Sequence, residues 1–274
     1  MKPIRILVHN LVFEVTRRCN MQCQMCLRGS AECEDMSDDV IEQIFTSVDE
    51  VYSVTPTGGE PFLVPQITAA VLDKAREYGA SSMFISTNGS VSPFAIESAP
   101  IMTAAAEYVY PVMLRGNTEQ KLKWLNEKGK YLNEECLFRV SFDIFHDEHL
   151  ANYSHWKLLS NAYFDGVANN FIVDRGLAQE NGIGNSFKDE ASVYIELDKC
   201  GDEITLTVEK LYVNVYGMCF ADCDLSYDQQ DGPGDDLEPG CALGHISNLR
   251  NSILEHAKEK YPESFEVVLE EAIA

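Results

Sequence analysis

The chain has 274 residues, 45% of them hydrophobic, and its 21 basic and 44 acidic residues give a formal charge of −23. That length suits one large domain or one domain with a modest appendage, and no apolar run approaches the ~20 residues a membrane span needs. So acidic a surface repels phosphate backbones and anionic lipid, which disfavours broad electrostatic binding of nucleic acid.

The opening segment from Met1 to Val8 carries two early charges and then a short apolar stretch, broken by His9 and Asn10 and lacking a small-residue cleavage site. No signal peptide is expected, and the cytoplasm is the expected compartment. Nine cysteines, at 19, 23, 26, 33, 136, 200, 219, 223 and 241, then argue for metal or redox chemistry rather than a disulfide framework.

Leu11 to Thr16 reads as a strand running into the first cysteine cluster. Ser37 is an N-cap with acids behind it, opening a helix whose apolar stripe is Val40, Ile41, Ile44, Phe45 and Val48. Val51 to Thr55 is a second strand, ending in Pro56-Thr57-Gly58-Gly59-Glu60-Pro61. A helix from about Pro65 to Tyr78 is closed by Gly79, and Ser82 to Ser86 is a third strand ending in Thr87-Asn88-Gly89. Residues 94–136 read as mostly helical, best from Gln120 to Lys128, with Tyr108 to Leu114 open to a strand. Leu137 to Phe142 is a strand ending in Asp143, and Asn170 to Val173 is another. Strands alternating with helices, each strand ending in a polar or glycine-rich signal, predict a parallel β/α barrel with its chemistry on those loops.

The character changes after Gly176. Residues 176–190 read as a loop, Ser192 to Leu197 and Ile204 to Val215 as a hairpin turning at Cys200-Gly201-Asp202, and Asn214 to Gly217 as its end. A loop at Asp231 to Asp236, a helix from about Ser247 to Lys260 and a second one from Glu263 follow. The predicted division is 1–190 for the barrel and 191–274 for a small α+β extension.

Cys19-Asn20-Met21-Gln22-Cys23-Gln24-Met25-Cys26 spaces three thiols as C-x3-C-x2-C in a loop after a strand. Three thiolates leave one iron of a [4Fe–4S] cluster open. A zinc site, which generally wants four ligands, would need Cys33 or a distant residue to complete it. The loop resembles the signature of the radical S-adenosylmethionine (radical SAM) superfamily, with Met25 where an aromatic residue is usual. Gly58-Gly59-Glu60-Pro61 resembles the family's GGEP element, and Ser86-Thr87-Asn88-Gly89 its TNG segment, although an Asn-Gly pair can equally be a plain turn. Arg139-Val140-Ser141-Phe142-Asp143 resembles the family's SxD strand, on which Ser141 and Asp143 share a face. His146 follows in an FHxE-like segment, where Asp147 and Glu148 can also be simple helix-capping acids. Val173 to Ala178 is similar to a GRA-like segment with its order altered; there Arg175 either clamps a carboxylate or makes a surface ion pair.

The resemblance implies a partial (β/α)6 barrel with a [4Fe–4S] cluster on Cys19, Cys23 and Cys26. It implies S-adenosylmethionine held by Gly58, Gly59, Glu60, Pro61, Ser86, Asn88, Ser141, Asp143 and Arg175, while no catalytic residue beyond these is assigned. Reductive cleavage of that cofactor gives a 5′-deoxyadenosyl radical that abstracts hydrogen. The implied substrate is a peptide or protein side chain; a small metabolite or nucleotide, or activation of a glycyl-radical partner, are the alternatives. An electron donor such as flavodoxin or ferredoxin is implied as well.

Cys219, Cys223 and Cys241, with Leu243-Gly244-His245-Ile246, resemble the SPASM/twitch-type extensions that hold auxiliary iron–sulfur clusters, with Cys200 available as a fourth ligand. The other reading is a degenerate extension whose thiols are buried as small hydrophobes. A rival from another class is a non-catalytic zinc or iron–sulfur sensor.

Overall fold

The computed structural model describes residues 4–23, 26, 28–109, 116–128, 138–141, 152, 154–156, 193–200, 203–223, 225–231, 242–263 and 265. The fold is mixed α/β. Its spine is β1 (Ile4–Thr16), flanked in parallel by β2 (Glu50–Gly58) on one edge and by β7 (Glu203–Val213) on the other. The first strand is longer than its apolar C-terminal half predicts. His9 and Asn10 do not break it, because both point polar atoms at strand neighbours: His9 Nδ1 lies 3.1 Å from Glu209 and Asn10 Oδ1 accepts from Ser53 at 3.0 Å.

Helix α1 (Asp38–Ser47) starts where the sequence places its cap, with Ser37 Oγ accepting from Val40 N–H, and its predicted stripe of Val40, Ile41, Ile44 and Phe45 is buried. Phe45 stacks on Phe13 of β1 at 5.6 Å between ring centres, so one helix face and one strand face share a core. Helix α2 (Pro65–Glu77) ends at Gly79, whose φ of 74° suits a residue without Cβ.

The third predicted strand is two. β3 (Ser82–Met83) pairs with β2, whereas β4 (Ile85–Thr87) pairs in parallel with β5 (Phe138–Val140). The chain changes partner at Phe84, whose N–H still donates to Val54 O at 2.9 Å; strand twist carries the next residues away from β2. Helices α3 (Ala99–Val109) and α4 (Thr118–Lys128) lie between β4 and β5. Tyr108 and Val109, open to a strand in the sequence, are helical. The strand expected at 170–173, the loop at 176–190 and the 190/191 boundary lie outside the described residues.

The predicted hairpin is present as β6 (Ile195–Cys200) antiparallel to β7. β7 also runs beside β1 from Ile4↔Ile204 to Phe13↔Val213, and Leu206, Val208 and Leu211 join the core that holds Phe13 and Phe45. β8 (Met218–Phe220) and β9 (Ala242–His245) continue the sheet antiparallel. A short helix α5 (Tyr227–Asp231), absent from the sequence reading, precedes α6 (Leu249–Lys260), the helix expected from about Ser247. No described helix is long and apolar enough to cross a membrane.

Candidate active site at the strand ends

β1, β2, β4 and β5 run in parallel pairs, and the predicted motifs follow their C-terminal ends. The segment after β1 is a closed loop. Arg17 N–H donates to Glu34 O at 2.8 Å, Glu32 N–H to Arg17 O at 3.0 Å, and Met36 N–H to Val15 O at 3.0 Å. Thr16 Oγ1 donates to Asp35 Oδ1 at 2.6 Å and accepts from Arg18 N–H at 3.0 Å. These bonds form a neck, and Cys19, Cys23 and Cys26 lie on the loop beyond it, all half-buried.

The glycines after β2 serve this neck directly. A Cβ on Gly58 would fall 2.1 Å from Thr16 O, and one on Gly59 would fall 2.0 Å from Arg18 O. Only residues without side chains let β2 run this close, and the approach lets Gly59 N–H reach Thr16 O at 2.7 Å and Glu60 N–H reach Arg18 O at 2.8 Å. The chain itself occupies the space a Cβ would need.

Glu60 is fully buried. Its Oε1 accepts from Phe62 N–H at 3.0 Å and Thr87 Oγ1 at 2.8 Å, and its Oε2 from Asn88 N–H at 2.7 Å. Burial pushes the carboxyl up to about 7 even though these three donors favour its ionised form. Glu60 therefore bolts the end of β2 to the end of β4. Pro61 is buried and opens a short 3-10 turn through Leu63.

Asn88 carries the link onward: its Nδ2 donates to Asn20 Oδ1 at 3.0 Å and lies 3.8 Å from Cys19 Sγ. Asn20 Nδ2 in turn donates to Ser90 Oγ at 2.7 Å. Burial raises the Cys19 thiol above its ordinary value and the charges of Glu60 and Cys26 add to this, while the Met21 N–H and the Asn88 amide pull the other way. Ser141 N–H donates to Thr87 O at 2.9 Å, so the end of β5 joins the same group. Ser86 is half-buried on β4, on the face opposite Thr87. Asp143, His146, Arg175 and Cys241 lie outside the described residues.

Three cysteines on one loop are a donor set that fits an iron–sulfur cluster with one open iron. Among the described residues no group of three or more His, Cys, Asp or Glu side chains is arranged to hold a metal ion. Of the C-terminal cysteines, Cys219 is fully buried in the main core, and burial pushes its thiol well up; its nearest acceptor is Gly217 O at 3.7 Å. Cys223 instead packs beside Val12, Tyr212, Phe220 and Leu225, and Cys200 is exposed.

Arg17 was not singled out in the sequence. It is fully buried, and all five of its N–H donors are used. Nε donates to Glu14 at 2.9 Å; Nη1 to Glu32 at 2.8 Å and to Asp231; Nη2 to Asp231 at 2.8 Å and Gln230 at 3.2 Å. The rings of Tyr216 and Tyr227 lie 4.9 and 4.5 Å from its guanidinium. Burial alone would lower its hold on the proton, and the bonds to Asp231, Glu32 and Glu14 raise it above the ordinary value. The missing signal was long-range: Tyr212, Tyr216, Tyr227, Gln230 and Asp231 are about 200 residues away in sequence.

No protein-family model and no curated protein matches the sequence. The chain is similar to anSMEcpe with bound AdoMet, at 14% identity and a TM-score of 0.42, over 92% of this chain and 80% of that one. It is similar to BtrN in complex with AdoMet and 2-DOIA, at 14% identity and 0.43, over 91% and 85%. It is also similar to Streptococcus suis SuiB bound to precursor peptide SuiA, at 12% identity and 0.39, over 88% and 64%. At these identities and TM-scores the site is read from its own residues.

Proposed function

We propose that this chain is a radical SAM enzyme with a partial β/α barrel, whose cysteine loop holds a [4Fe–4S] cluster and whose strand ends hold S-adenosylmethionine. One observation carries the reading: the GGEP, TNG and cysteine-loop segments, separate in sequence, meet through Glu60, Thr87, Asn88 and Asn20. Cys19, Cys23 and Cys26 would be the ligands. When bound, the cluster supplies one electron to the sulfonium of S-adenosylmethionine, giving a carbon radical that takes hydrogen from the substrate.

The chain's own part is to bind and orient. The Gly58–Pro61 backbone, Ser86, Asn88, Ser141, Asp143 and Arg175 are the groups assigned to the cofactor. Glu60 spends its described bonds on Phe62, Thr87 and Asn88, so its part in holding the cofactor is chiefly to fix the Asn88 turn beside the cysteine loop. The proposed substrate is a peptide or protein side chain, on the resemblance of the C-terminal segment. Anaerobic reconstitution is the test: about four irons per chain at the N-terminal site are expected, with release of 5′-deoxyadenosine on reduction in the presence of S-adenosylmethionine. A colourless zinc protein that leaves S-adenosylmethionine intact would support the sensor reading instead.

A further inference from the structure

The cysteine loop is fastened at three places, and two of them belong to the C-terminal third of the chain. The first is the neck, where Arg17 reaches Gln230 and Asp231 on α5 and lies beside Tyr216 after β7. The second is Asn20, tied to Asn88 and Ser90. The third is Arg28, two residues beyond the last thiol. Its Nη1 donates to Leu225 O, its guanidinium lies 4.6 Å from the Tyr212 ring, and its carbonyl accepts from Tyr227 N–H at 3.1 Å. Tyr212 in turn donates its hydroxyl to Glu14, the same carboxylate that holds Arg17 Nε, and Gln230 Nε2 donates to that carboxylate at 3.2 Å. The two arginines are thus two ends of one polar network, buried at Glu14, Arg17 and Tyr212, that brackets residues 19–26.

We propose that Arg17 and Arg28 are positioning residues through which the segment from Tyr212 to Asp231 holds the cysteine loop ready to receive its metal. This rests on the reading of that loop as the cluster site. Neither arginine is a ligand, and neither needs to touch substrate. A loop of eight residues with three thiols samples many arrangements unless both ends are fixed, and only a subset presents three thiolates to one cluster. Arginine suits the task because its rigid fork satisfies several acceptors at once, which the ammonium of lysine cannot do.

The test compares the full-length wild type with Arg17→Lys, Arg28→Met and Asp231→Asn. In protein without added metal, alkylation of each cysteine is followed by mass spectrometry, with buried Cys219 as an internal gauge of global unfolding. Loosened anchoring should speed alkylation of Cys19, Cys23 and Cys26 by about tenfold through local opening, while Cys219 stays unmodified. After anaerobic reconstitution the variants should retain less iron than the wild type and give a broadened electron paramagnetic resonance signal on reduction. Wild-type alkylation rates together with full iron content in all three variants would overturn the proposal. If Arg17→Lys does not fold, Asp231→Asn and Arg28→Met decide alone. A wild type that takes up no iron defeats the cluster reading, whereas the alkylation rates still report whether the arginines hold the loop.

Discussion

Cys19, Cys23 and Cys26 share their side chain with Cys219, yet the two settings differ in what surrounds that thiol. The first three sit half-buried on a polar loop at the strand ends, where Asn88 offers a donor to Cys19. Cys219 is fully buried on β8 in the main apolar core, and burial raises its thiol far from the thiolate that binds metal. The same residue type thus meets polar groups in one region and the apolar core in the other. A cysteine on a strand inside a core behaves as a small hydrophobe, and one on a hydrogen-bonded loop can be drawn to a metal.

The harshest way to break this comparison is to remove the loop thiols. Replacing Cys19, Cys23 and Cys26 together with Ala should abolish iron binding at that site and all 5′-deoxyadenosine formation, while Cys219→Ala should leave both in place. Iron and sulfide remaining in the triple variant, then lost with Cys219 and Cys223, would establish a second centre.

Next in size is Glu60, the carboxylate that joins the strand ends beneath the loop. Glu60→Ala strands the Phe62 and Asn88 N–H groups and the Thr87 hydroxyl in a buried site, and should cost about 3 kcal/mol or more in chemical denaturation. Its pH dependence has a definite sign. With the carboxyl raised from an ordinary 4.5 to about 7, the folded state keeps a proton that the unfolded state has already lost. Stability should therefore fall as pH rises from about 4.5 to about 7, by about 3 kcal/mol, and level off above. Glu60→Gln should remove that slope; a variant that keeps the wild-type pH profile would show that the slope does not come from Glu60.

Smaller effects sharpen the contrast between the thiols themselves. Cys219→Ser puts a hydroxyl where the nearest acceptor is 3.7 Å away, and should destabilise by about 1–3 kcal/mol. Cys23→Ser, in protein without metal, should stay within about 0.5 kcal/mol of wild type. Equal losses at the two positions would mean that the loop is as tightly packed as the core.

Much of the site was legible because its parts are local. Ser37 capping α1, Gly79 closing α2 and the strand ends before Gly58 and Thr87 all follow from turn and capping chemistry that acts over a few residues. The role of Gly58 and Gly59 was visible only in kind. The partners of their close approach, Thr16 O and Arg18 O, lie at the end of β1 and just beyond it. The break of the third strand at Phe84 was hidden for a similar reason, since Ser82 to Thr87 reads as one extended run and twist divides it between two partners.

The sequence by itself determined the cysteine spacing, the helices with their caps and the glycine-marked strand ends, because period, propensity and turn geometry are written in neighbouring residues. Tertiary structure alone decided that β7 lies beside β1 and that Arg17 and Arg28 meet side chains about 200 residues away. It also decided which cysteines face polar groups and which face the core. Burial is a property of the packed chain, and the charge, proton affinity and metal preference of a buried group follow from its neighbours in space.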